Sequence, residues 1–138
     1  MTNEFTVKKI NDWKKAVEWV HKQTQNNKVF FLYGDMGVGK TTFVKAFCNF
    51  LKITAPTSSP TFSLVNIYEQ GAIKICHIDL YRLKSLEEAL DIGIEEYLSD
   101  DAYCFIEWPQ IIESIAPLET MRIKISLQPD SSRKIVIL

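Results

Sequence analysis

The chain has 138 residues, a length that fits one domain, residues 1–138, and its apolar share of 46% against 24% charged residues is enough for a real core. That balance excludes a wholly disordered chain. With 16 basic and 17 acidic residues the formal net charge is -1, and arginine is limited to Arg82, Arg122 and Arg133. The basic excess of a stand-alone nucleic-acid binder is therefore missing, and no strong nucleic-acid binding is expected of the chain alone.

Met1 to Ile10 alternates polar and apolar residues and holds no apolar stretch long enough for a secretory signal. Val29 to Tyr33 is far too short to span a bilayer. A cytoplasmic protein is expected. Cys48, Cys76 and Cys104 lie far apart, with no C-x-x-C pair, and read as reduced, buried small hydrophobes rather than a zinc site.

In chain order, Asn11 or Asp12 caps a predicted helix that places Trp13, Ala16, Val17 and Val20 on one face. Asn26-Asn27 ends it. Val29-Phe30-Phe31-Leu32-Tyr33 is short and continuously apolar, as a strand buried on both faces must be. Gly34 to Gly39 forms a glycine-rich turn. Lys40 to Leu51 follows as a helix, with Phe43, Val44, Phe47, Phe50 and Leu51 at helical spacing. Thr54 to Pro60 reads as a loop.

Thr61 to Tyr68 and Ala72 to Leu80 read as two strands of a hairpin turning at Gln70-Gly71. Ser85-Leu86-Glu87-Glu88 fits a capping box and predicts a helix from Ser85 to Leu98 that buries Leu86, Ala89, Leu90 and Ile94. Ala102 to Ile106 is a short apolar strand ending in Glu107, which Pro109 keeps from continuing. Arg122 to Leu127 and Arg133 to Leu138 flank a Pro129-Asp130 turn and pair antiparallel. The sum is an α/β domain, a central parallel sheet with antiparallel strands at its margins and helices on both faces.

Gly34-Asp35-Met36-Gly37-Val38-Gly39-Lys40-Thr41 fits G-x-x-x-x-G-K-[ST] at every position, between a buried strand and an amphipathic helix. Glycines let the backbone approach phosphate oxygens, successive N–H groups converge on the anion, and the helix start adds partial positive charge. The candidate nucleotide-binding residues are Asp35, Met36, Gly37, Val38, Gly39, Lys40, Thr41 and Thr42. In this motif the lysine reaches the β- and γ-phosphates and the hydroxyl of Thr41 ligates Mg²⁺. A strand-turn-helix that merely needs glycines accounts for Gly34 and Gly37, but not for Gly39-Lys40-Thr41 as a unit. No Asn/Thr-Lys-x-Asp string occurs, which favours ATP over GTP.

Such a site also needs a carboxylate at the end of a neighbouring buried strand. Glu107, after Tyr103-Cys104-Phe105-Ile106, is the first candidate metal ligand, against the plain reading of a solvated acid at a strand end. Asp79 is the second candidate. Strand alternation puts His77, Asp79 and Tyr81 on one face, a polar face suited to placing water near a nucleotide. A lone His or Asp on a strand is more often a surface or hydrogen-bonded residue, and hard Mg²⁺ disfavours His77 as a ligand. Trp108 is either core, the default for an isolated tryptophan, or a cover over the site.

Four strings now stand in order. They are Leu32 to Phe43 with the glycine-rich motif, Ser59-Pro60-Thr61-Phe62, His77-Ile78-Asp79-Leu80-Tyr81-Arg82, and Ile106-Glu107-Trp108-Pro109. Together they resemble the TsaE family, from about Asn11 to Pro109. The resemblance implies a P-loop NTPase fold and slow, partner-dependent ATP hydrolysis with Mg²⁺. It further implies a catalytic set of Lys40, Asp79 and Glu107, metal ligation by Thr41 and Glu107, and Trp108 near the site. Ser59 to Phe62 would form a loop that senses the γ-phosphate. The implied partners are the TsaD and TsaB proteins, which place a threonylcarbamoyl group on an adenosine of tRNA and which this ATPase would reset between rounds. Val38 departs from the alanine the family often has. A small-molecule P-loop kinase is the competing reading, weakened by having three scattered arginines for a phosphate lid.

Overall fold

The computed structural model describes residues 3–24, 27–53 and 64–138. Seven strands form one sheet in the order β1-β7-β6-β2-β5-β4-β3. The strands are β1 (Glu4–Val7), β2 (Val29–Tyr33), β3 (Val65–Gln70), β4 (Ile73–Asp79), β5 (Tyr103–Glu107), β6 (Met121–Leu127) and β7 (Arg133–Ile137). Strand β2, apolar from Val29 to Leu32, sits at the centre. It pairs in parallel with both β5 and β6, and β5 pairs in parallel with β4. The β3–β4 hairpin closes one margin antiparallel, and β6–β7–β1 closes the other.

Side-chain alternation sorts the sheet into two cores. Phe30, Leu32, Ile75, Phe105, Ile123 and Ile125 face helices α1 (Asp12–Gln23) and α2 (Lys40–Phe50), whose Ala16, Val17, Val20, Phe43, Val44 and Phe47 they meet. Phe47 is the hub, with its ring 5.0 Å from Phe105 and 5.6 Å from Phe30. On the opposite face Phe31, Cys76, Ile78, Cys104 and Ile106 pack against α3 (Leu86–Asp91), α4 (Ile94–Ser99) and a 3-10 helix (Pro109–Ile115). Helices thus cover both faces of a mixed sheet, as predicted. The three cysteines are buried and free, and burial pushes the Cys48 thiol up to about 11.

Several expectations need correction. Asn11 stands at the N-cap of α1 in helical conformation and its side chain caps nothing. Asp12 instead accepts hydrogen bonds from the backbone N–H groups of Lys8 and Lys9, each at 3.0 Å, and so braces the turn before the helix. The helix predicted from Ser85 to Leu98 is two six-residue helices, because Gly93 turns left-handed (φ 82°) and starts the second. The break leaves Leu90, expected in the core, 38% exposed. The capping box holds in part: Ser85 accepts from the Glu88 N–H, but Glu88 reaches the N–H of Lys84 rather than of Ser85. Strand β1 was not anticipated. No helix among the described residues is long and apolar enough to cross a membrane.

Candidate functional site

The polar residues gather at one end of the central strands, where β2 runs into α2. Gly39 occupies the N-cap of α2 at φ 117°. A Cβ there would lie 2.6 Å from the Trp13 ring, so the position needs glycine both for its backbone and for its room. The first-turn N–H groups of α2 have no partner within the helix by its geometry, and they open onto the loop. Arg133, from β7, donates through Nε to the Val38 carbonyl at 3.1 Å and ties the loop to the far margin of the sheet. Its spacing from the motif gave no hint of this, since only the strand order brings the two together.

Lys40 is 4% exposed. Its Nζ donates back to the Gly34 carbonyl and lies 3.9 Å from the centre of the Trp108 ring. Burial lowers the ammonium pKa, against the opposing pull of Glu107, Asp79 and Asp35. Beside it, the Thr41 hydroxyl donates to Glu107 Oε2 at 3.0 Å.

The acids arrive from strands. Asp79 and Glu107 are register partners on the parallel pair β4–β5, and alternation turns both toward the α2 face of the sheet. Glu107 is 4% exposed, and its Oε2 also meets His77 Nε2 at 2.5 Å. Asp79 accepts from the Tyr81 N–H at 2.9 Å. Burial is the main cause that raises the Asp79 pKa, and the Glu107 charge adds to it.

Directly after Glu107 the chain turns at Trp108, a non-glycine residue held at φ 56° and ψ 56°. Such a conformation costs about 1–3 kcal/mol and persists only where its surroundings enforce it. It lays the half-buried indole over Lys40 and 5.0 Å from the ring of Tyr81. Trp108 is thus at the site, not in the core, which corrects the default reading.

Lys40, Thr41, Thr42, Asp79, Glu107 and Trp108, with Met36, Gly37 and Gly39, line one cavity of about 310 Å³. A second hollow of about 250 Å³ shares Gly37, Gly39 and Thr42 with it and is bounded by Ile10, Trp13 and Arg133. Asp35 and Met36 are exposed on the loop, whereas Val38 is buried. Ser59-Pro60-Thr61-Phe62 lies outside the described residues.

Among the described residues no three His, Cys, Asp or Glu side chains cluster to hold a metal unaided. The pair that converges is a hydroxyl and a carboxylate, Thr41 and Glu107. Hard oxygen donors in that small number fit Mg²⁺, which keeps several waters and takes the rest of its ligands from phosphates.

Comparison with known proteins gives one consistent picture. The family model described as "Threonylcarbamoyl adenosine biosynthesis protein TsaE" matches residues 7–135. The tRNA threonylcarbamoyladenosine biosynthesis protein TsaE of Bacillus subtilis is 39% identical over 107 residues, which span 78% of this chain and 66% of that protein. The protein of the same name from Borreliella burgdorferi is 48% identical over 95 residues, 68% of this chain and 69% of its own length. That of Treponema pallidum is 36% identical over 118 residues, with 86% and 87% covered. Among solved structures, Bacillus subtilis YdiB superposes with a TM-score of 0.77 at 28% identity, over 97% of this chain and 82% of that one.

Proposed function

Because the chain belongs to the TsaE family, whose members serve the biosynthesis of threonylcarbamoyladenosine in tRNA, we propose that it binds ATP with Mg²⁺ and hydrolyses it slowly in the service of a TsaB–TsaD complex. One observation supports this above the rest: the hydroxyl that follows the motif lysine is hydrogen-bonded to a carboxylate delivered by a neighbouring strand.

In this reading Lys40 leaves the Gly34 carbonyl and pairs with the β- and γ-phosphates, while the backbone from Asp35 to Thr42 cradles their oxygens. Thr41 and Glu107 hold Mg²⁺, which neutralises charge on the phosphates. Asp79, next to Glu107, orients the attacking water. The base takes the hollow between Ile10, Trp13 and Arg133. Two of the three arginines are already committed, Arg122 to Glu113 and Arg133 to Val38. That leaves Arg82 alone for a phosphate lid and speaks against a small-molecule kinase.

The test is a calorimetric titration with Mg-ATP alongside phosphate release in the presence of TsaB–TsaD. Lys40→Ala should abolish ATP binding, whereas Glu107→Ala should keep much of the binding and lose turnover. An unmodified chain that binds no ATP, or a Lys40→Ala variant that binds it normally, would sink the reading.

A further inference from the structure

We propose that His77 is a positioning residue that sets the orientation of the Glu107 carboxylate for the nucleotide-bound cation. The inference rests on the ATPase reading above and assigns a role to a side chain that reading leaves idle.

His77 is 1% exposed on β4, on the α2 face of the sheet between the apolar Ile75 and the acids Asp79 and Glu107. An apolar residue would fill that place at lower desolvation cost, and a buried imidazole is tolerated because it has a partner. The partner is Glu107 Oε2. A carboxylate oxygen offers only lone pairs, so the ring donates its proton from Nε2.

Two donors, His77 Nε2 and Thr41 Oγ1, therefore converge on the same oxygen from opposite elements, one from the sheet and one from α2. Together they stop rotation of the carboxyl group about its last bond. The hydrogen bonds described use Oε2, which leaves Oε1 of a side chain lining the cavity for the cation or its water. With Thr41 alone the carboxyl would be free to turn. Removing an outer partner of a metal-ligating carboxylate typically costs about 10- to 100-fold in metal affinity or activity.

The experiment compares the unmodified protein with His77→Leu and His77→Gln, a glutamine amide being able to donate from about the place of Nε2. ATP affinity is measured by calorimetry with and without Mg²⁺, phosphate release is measured in parallel, and a thermal melt accompanies each variant. In His77→Leu the tightening that Mg²⁺ gives to ATP binding should fall at least about tenfold, and turnover with it. ATP affinity without Mg²⁺, which reads the loop and the fold, should stay within about twofold because the loop's own contacts are untouched. His77→Gln should recover most of the loss. A His77→Leu protein with undiminished Mg²⁺ dependence and turnover would overturn the assignment. So would a His77→Gln protein that melts like the unmodified chain yet is as impaired as the leucine variant. An unmodified chain that shows no Mg²⁺-dependent ATP binding would remove the ATPase reading itself, and this inference along with it.

Discussion

Replacing Gly39 by alanine separates the shape of the loop from its chemistry, because no polar group is lost. Two costs arise. At φ 117° an alanine sits where L-residues are strained, at about 1–2 kcal/mol. Its Cβ would also lie 2.6 Å from Trp13 Cη2 and 2.7 Å from Cζ2. Trp13 is 9% exposed and packed into the α1–α2 core, so the indole has little room to yield. Overpacking of this kind costs about 1–3 kcal/mol. The total is about 2–5 kcal/mol, and for a domain of this size each kcal/mol lowers the melting temperature by about 3–5 °C. A fall of about 12 °C is expected in a thermal melt, with loss of ATP binding by calorimetry. Gly37→Ala is the control. Its φ is 81° but nothing lies within 4 Å of the added Cβ, so strain alone acts and the fall should be about 4 °C. If Gly39→Ala melts within about 2 °C of the unmodified protein and binds ATP equally well, the packing of Trp13 on the loop is not what shapes it.

Asp79→Asn should raise the melting temperature of the nucleotide-free protein at pH 7. Burial raises the carboxyl pKa above its ordinary value of 3.8 in the folded state. The stabilising contribution is then present below 3.8 and is lost as pH rises through the folded value. Ionised Asp79 thus weakens the fold at neutral pH, and asparagine keeps the acceptor for the Tyr81 N–H. The advantage should close as pH falls to about 4, and an advantage that is absent or independent of pH would contradict this. Tryptophan emission should change on adding ATP, because Lys40 leaves the face of the Trp108 ring. Trp108→Phe should shrink that change to the part the base causes at Trp13, which lines its hollow, and an undiminished signal would place the reporter elsewhere.

Much of the architecture is legible in single-residue patterns. The continuous apolar run of Val29 to Tyr33 marks the central strand, and the motif beside it marks the loop. Alternation along β4 already places His77 and Asp79 on one face. Strand order is what one sequence cannot supply. Register pairs Asp79 with Glu107 across β4–β5 and sets His77 against the same carboxylate, and β7 carries Arg133 to Val38. These contacts join residues 28 to 95 positions apart, with nothing local to signal them. Local breaks were also hidden. Leu86, Leu90, Ile94 and Leu98 keep helical spacing through Gly93, yet a left-handed glycine ends one helix and begins another. Strand β1 has a burial pattern in which Val7 alone is buried, too little apolar alternation to announce an edge strand. Trp108 reads as core because its type is common there. Its left-handed backbone, which decides otherwise, leaves no trace in composition.

The backward reach of Lys40 to Gly34 makes the loop a closed circuit: its cation already has a mate on the same stretch of chain. An arriving anion is a rival for that ammonium, not a visitor to a vacant seat. Affinity therefore measures a difference between two partners, and whatever loosens the old match tightens the new one.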